Sequence, residues 1–236
     1  MRNGKIAMEL PEGVTMVNAR ICTEDDDVML MTSSGRAIRF RSTDVRVFQS
    51  RKSTGVRGVR LTGDDTVVSM AVIRHFESTP DERSAYLKMR RAVAGLAYDA
   101  DVGTDDEDVS ANATIDPERY AQMSAAEDLI LTIMAQGTGK LSSSHDYPIR
   151  GRGGMGVQAI DKGMRGGAVV ASFPVEIEDQ IMLATSKGQS IRCPVEGISL
   201  RSRSASGVKV FNTSKDEEVV SVAWIAEQSE DEPAAE

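Results

Sequence analysis

The sequence predicts an all-β fold: a propeller-like array of about three four-stranded blades, carrying one helical insertion and a disordered acidic tail. Three observations predict it. A glycine-centred box recurs, a hairpin pattern precedes each copy, and one acidic, helix-patterned stretch interrupts the spacing.

The box reads Arg-x-x-x-Gly-Val and occurs from Arg51 to Val56, from Arg152 to Val157 and from Arg203 to Val208. Repeats of this length mark arrays in which each unit buries its apolar face against the next. Ahead of the boxes lie the stretches 26–40, 127–141 and 178–193, each an apolar, β-branched run, a polar turn and a second strand. The turns centre on Gly35, Gly137 and Gly188, and the second strands carry Arg39, Lys140 or Arg192. Such runs joined by Ser-Gly, Gln-Gly or Lys-Gly read as β-hairpins. The step from turn glycine to box glycine is 20, 19 and 19 residues. After each box comes another strand-like run, beginning at Val67, Ala168 and Val219, which completes about four strands per unit. A fourth, cut-off copy opens the chain, because the residues from Gly4 to Leu10 align with those from Gly55 to Leu61. The turn and box glycines Gly4, Gly55, Gly156 and Gly207 are therefore spaced by 51, 101 and 51 residues.

The long middle step holds one repeat plus an insertion. Thr79, Pro80, Asp81 and Glu82 supply a cap, a first-turn proline and first-turn acids, and the apolar spacing supports a helix to about Ala97. A second helix is expected from Asp116 through Met123, with a solvated loop over 99–114. The chain thus divides into leading strands and a first blade (1–73), a helical acidic insertion (74–128), two further blades (129–225) and an acidic disordered tail (226–236).

Charge follows the same division. The net −8 of the chain is concentrated in the insertion, at −7, and the tail, at −5, which leaves the blades mildly basic at +4. A basic array beside mobile acidic segments permits a polyanionic partner despite the acidic total. The acidic segments are expected to compete with that partner for the basic rim. No apolar run is long enough to span a membrane and the N-terminus lacks a signal segment, so a cytoplasmic location is expected.

No catalytic constellation emerges. His75 and His145, the only histidines, stand in polar contexts and are expected at the surface. The run from Gly137 to Lys140 lacks the flanking residues of a phosphate-binding loop, having Met134 and Leu141 where a glycine and a hydroxyl residue are required. Cys22 and Cys193 lack metal-site or disulfide spacing and are expected to be buried structural residues. No metal or cofactor site is expected.

The boxes are the chemical signal. Arginine presents forked donors that suit phosphate oxygens, and cations repeated once per blade form a curved track suited to a bent polyanion. With few aromatics to stack on bases, duplex backbone is the better ligand. The candidate DNA contacts are Arg51, Lys52, Arg57 and Arg60 in the first full box, Arg150 and Arg152 in the second, and Arg201, Arg203 and Lys209 in the third.

On the stretches 26–46, 54–61 and 178–199, the boxes and the acidic end, the chain resembles the C-terminal domain of the A protein of DNA gyrase, which is a type IIA topoisomerase. The resemblance implies a β-pinwheel of about six blades that wraps duplex DNA with a chiral sense, supporting ATP-driven negative supercoiling by the whole enzyme. It also implies a bacterial, nucleoid-associated setting, with the rest of the gyrase A protein and the gyrase B protein as partners and with ATP and Mg acting elsewhere. The chain matches the C-terminal half of such a pinwheel. It has Met155 where the family's hallmark box has lysine, and no residue in the context of the family's catalytic tyrosine. The corresponding domain of topoisomerase IV and a propeller-type protein-interaction platform are the alternatives.

Overall fold

A computed structural model of the chain describes residues 7–50, 52–94, 113–161 and 163–225. Its strands are β1 (Asp26–Thr32), β2 (Arg36–Arg41), β3 (Val67–Arg74), β4 (Leu129–Met134), β5 (Thr138–Ser143), β6 (Val157–Gln158), β7 (Val169–Val175), β8 (Gln180–Thr185), β9 (Ser190–Pro194), β10 (Val208–Lys209) and β11 (Val219–Ile225). Between β3 and β4 lie two helices, α1 (Pro80–Val93) and α2 (Pro117–Ala125).

The strands form three antiparallel sheets, in the orders β3-β1-β2-β6, β10-β5-β4-β7 and β11-β8-β9. The fold class is as expected, but strand ownership is not. Each box strand leaves its own repeat and becomes the outer strand of the preceding blade: β6 pairs with β2, and β10 with β5. Four strands per sheet therefore require a donor from the next repeat. The third sheet has three strands among the described residues, and the 54–58 segment of the first box forms no strand.

Period-two alternation explains why the blades stack. Along β1, Met29 and Met31 face a core shared with Ile130, Met134 and Tyr147 of the second blade and with Ile160, just past the exchanged β6. Val28 and Leu30 point the other way, to a smaller cluster with Ile38, Phe40 and Val59. Between blades two and three, Leu131, Ile133, Leu141, Ile181, Leu183 and Val219 are buried together. Each fully buried aliphatic side chain contributes about 2 kcal/mol, so the blade interfaces are the hydrophobic core.

The cut-off first copy has a structural counterpart. Glu9 N–H donates to the Ser53 carbonyl at 3.1 Å, and 51 residues later Arg60 N–H donates to the Gly154 carbonyl at 2.8 Å. Gly4 itself lies outside the described residues, as do Arg51, the 99–112 part of the expected loop and the tail.

The insertion is a docked helical pair. Thr79 and Glu82 form a reciprocal capping box at the start of α1, and Asp116 caps α2. α1 stops at Val93, short of the expected Ala97, and residues 95–97 lie outside the described residues. Arg119 bridges the two helices through Glu82 at 2.7 Å, and Arg90 reaches Glu127 at 3.1 Å. Tyr86 packs on Tyr120 and edge-on to His145. His145 is consequently buried, its Nε2 2.8 Å from the Met123 carbonyl, in place of the surface position expected. His75 is also partly covered, with Nδ1 2.8 Å from Asp27. The sequence context of His145 hides helices that fold back from a distance, and that of His75 hides its contact with Asp27 of β1. The cysteine expectation also fails: Cys22 is exposed, in a segment without a strand, and Cys193 is half-buried on β9.

Candidate nucleic-acid interface

The box glycines are explained by strand exchange. Gly156 has φ +70°, and a Cβ there would collide with the Ala37 carbonyl oxygen. A Cβ on Gly207 would lie 2.9 Å from the backbone of Gly139. In each case the missing side chain lets the box strand seat against the preceding blade. The turn glycines Gly35 and Gly137 lie beneath the incoming boxes, and Ala159 N–H and Val210 N–H donate to their carbonyls. Gly188, the same position in blade three, has open space around it among the described residues. Gly55, at φ +81°, keeps the left-handed turn although its box pairs with no strand among the described residues.

The two described box arginines, Arg152 and Arg203, are staples. Arg152 Nε donates to the Asp44 carbonyl at 3.2 Å and Nη1 to the Arg57 carbonyl at 2.5 Å. Arg203 Nε donates to the Asp146 carbonyl at 2.7 Å and Nη1 to the Gln158 carbonyl at 2.5 Å. Asp44 and Asp146 end equivalent 3-10 turns, and Arg57 and Gln158 stand two residues after the box glycines. Each arginine thus ties its box to the preceding turn and box. Arg203 is buried, with its guanidinium 3.6 Å from the Asp146 carboxylate, so its fork is turned inward and does not point to solvent as a phosphate contact requires.

Other cations remain at the surface around the second box. Gly153 N–H donates to the Gly58 carbonyl and Arg60 N–H to the Gly154 carbonyl, so boxes one and two lie side by side. Exposed Arg57 and Arg60 thereby flank the Gly153-Gly154 turn. On its other side a groove of about 510 Å³ is lined by Arg36, Arg150, Gly154, Met155 and Gly156. Arg36, at the start of β2, escapes a search for boxes because it belongs to a hairpin. Arg150 is exposed, and its N–H is bound by the Arg39 carbonyl at 2.8 Å. In the third box Arg201 is held in the same way by Leu141, and Lys209 is exposed with Nζ 3.2 Å from the Gln136 carbonyl. Lys52 is exposed within the first box.

Two cations of the second hairpin strands are buried. Arg39 donates to Asp27 at 2.7 Å, to the Ser144 carbonyl at 2.8 Å and to the Arg74 carbonyl at 3.0 Å, joining blades one and two. Burial lowers its pKa from the usual guanidinium value, with Asp27 opposing the shift. Lys140 is fully enclosed, and desolvation pushes its ammonium down to about 7 against the pull of Asp146 and Asp161. The sequence pattern sets Lys140 beside Arg39 and Arg192 as the cation of its second strand, although it lies three residues past its turn glycine and they lie four past theirs. Strand register instead equates it with Ile38 and Ile191, since Lys140 pairs with Thr132 where those pair with Leu30 and Leu183.

The chemistry on offer is binding of phosphate oxygens by side-chain forks and nearby backbone. Among the described residues, no group of three or more His, Cys, Asp or Glu is placed to hold a metal ion, and no helix is long and apolar enough to cross a membrane.

Comparison with known proteins bears on the same elements. Residues 26–74, 128–175 and 179–223, one hairpin unit apiece, match the family described as DNA gyrase C-terminal domain, beta-propeller. The DNA gyrase A protein of Granulibacter bethesdensis is 43% identical over 236 residues, covering 95% of this chain and 25% of that protein. Its Rickettsia prowazekii counterpart is 38% identical over 235 residues, covering 99% and 26%. The chain thus spans about a quarter of the length of these relatives. Among solved structures, the C-terminal domain of DNA topoisomerase IV shares the fold at TM-score 0.65 and 16% identity, covering 93% of this chain and 52% of that one. The E. coli ParC C-terminal domain does so at 0.54 and 13%, covering 94% and 69%. With its exchanged-strand blades and three matched segments, the chain belongs to the DNA gyrase C-terminal domain, beta-propeller family.

Proposed function

We propose that the chain is a DNA-binding and DNA-wrapping module of the gyrase A protein. It would act in the bacterial cytoplasm on duplex DNA, together with the rest of the gyrase A protein and with the gyrase B protein. The observation that carries this reading is the exposed cation group Arg36, Arg57, Arg60 and Arg150 around the glycine turn of the second box. Arg201 and Lys209 follow on the next blade in the same register. Charges that recur blade by blade suit a duplex bent along the rim, because each phosphate neutralised releases counterions. Lys52 extends the contact set. Arg152 and Arg203 hold the boxes in place, with Arg152 also at the rim, and Arg51 lies outside the described residues. ATP and Mg act elsewhere in the whole enzyme.

Relatedness favours gyrase over topoisomerase IV, since the likeness to the latter is one of fold. Closing a nicked circular duplex with ligase in the presence of the chain tests wrapping. A shift in linking number of one sign that grows with protein concentration is expected, and an unshifted distribution with bound DNA would show binding without wrapping.

A further inference from the structure

In blade one the strand position that faces the incoming box is Ile38, whose Cδ1 lies 3.7 Å from the place a Cβ would take on Gly154. In blade two that position is Lys140, completely buried. Its ammonium donates to the carbonyls of Ser202 at 3.1 Å, Ala205 at 2.7 Å and Arg203. Three protons meet three carbonyls. In the second box the Gly154 carbonyl is capped by the Arg60 N–H, whereas its equivalent in the third, that of Ala205, is capped by the lysine. The third box turn therefore closes on an internal cation. The buried Arg203 guanidinium fastens the same turn to Asp146 and Gln158.

We propose that Lys140 is a positioning residue for DNA binding: its caged ammonium fixes the 202–205 turn and so sets where Arg201 and Lys209, on either side of that turn, meet the duplex. This rests on the DNA-binding reading above. The charged groups facing the ammonium are Asp146 from the 3-10 turn, Asp161 from the loop after β6, and Arg201 and Arg203 from the box. The protonated amine satisfies the whole cage, while the neutral amine has one donor too few.

Lys140→Ile, which installs the residue of the other two blades, tests this. Amide exchange over 201–209 is expected to accelerate by about tenfold while residues 26–41 keep their protection. The slope of log K against log salt for linear duplex is expected to fall by about two, the number of cations displaced. Adding Arg201→Ala and Lys209→Ala should then change little. Wild-type binding with an unaltered slope in Lys140→Ile overturns the proposal alone, as does unchanged exchange over 201–209. A wild-type chain that fails to bind removes the DNA reading and the proposal with it. If Lys140→Ile does not fold, nitrogen-15 spectra of the wild-type chain at about pH 6 decide. A slowly exchanging Lys140 ammonium signal is expected, and its absence overturns the cage.

Discussion

Arg152 and Arg203, 51 residues apart, make the same two contacts, one to the carbonyl that ends a 3-10 turn and one to the carbonyl two residues past the preceding box glycine. The repeated arginine is therefore part of how consecutive blades are joined. Its recurrence at fixed spacing follows from that architecture even before any ligand is considered.

Arg203→Ala should accordingly act on stability. It removes two charge-assisted hydrogen bonds and leaves Asp146 facing a void, a loss of about 3 kcal/mol. Urea unfolding measures it. The salt slope of DNA binding by the folded fraction should change less than in an exposed-cation variant, and a stability loss below about 1 kcal/mol would contradict the staple.

The glycines separate two roles. Gly156→Ala places a Cβ against the Ala37 carbonyl at a left-handed φ, so the β2–β6 pairing must open. A loss of about 3 kcal/mol and faster exchange at Arg36 and Ala37 are expected. Gly188→Ala carries the same backbone strain, at φ +81°, with no neighbour within 4 Å among the described residues, and should cost only about 1 kcal/mol. Equal costs at the two sites would argue against strand exchange as the reason for the box glycine.

Stability should fall in mild acid through His145. Burial depresses its pKa below the usual 6.5, with the Met123 carbonyl opposing. The unfolded chain therefore takes up the proton first, and the contribution is complete above about pH 6.5 and lost below it. His145→Gln should flatten the urea midpoint between about pH 7 and 5. An unchanged profile would place the acid sensitivity elsewhere.

Lys140 works on the other side of neutrality. Its folded pKa of about 7 lies below the unfolded 10.5, so the unfolded chain binds more protons in between and stability rises with pH over that window. Thermal midpoints of the wild type and Lys140→Ile between about pH 7 and 9.5 should show the rise in the former alone.

How far the chain declares itself varies with the range of the interaction. Hairpins such as 26–40 are legible because turn chemistry and alternation are local. The helix start at Thr79 is legible because a cap and a first-turn proline are local too. The fate of Val157 is not, since a two-residue strand donated to another blade looks in sequence like the start of its own unit. Arg203 and Arg57 look alike as box cations, yet one is buried against Asp146 and the other exposed; that difference is set by the neighbouring blade. The burial of His145 is illegible for the same reason, its cover coming from Met123 and Tyr86 of the inserted helices.

Binding of duplex phosphates by the exposed box cations is read out by the salt dependence of binding. Linear duplex should bind the chain with a steep negative slope of log K against log salt. In the Arg57→Ala, Arg60→Ala, Arg150→Ala variant, which retains the staples, that slope should fall by about three with the unfolding midpoint little changed. A wild-type chain that does not bind at low salt, or a triple variant with the wild-type slope, would contradict the account.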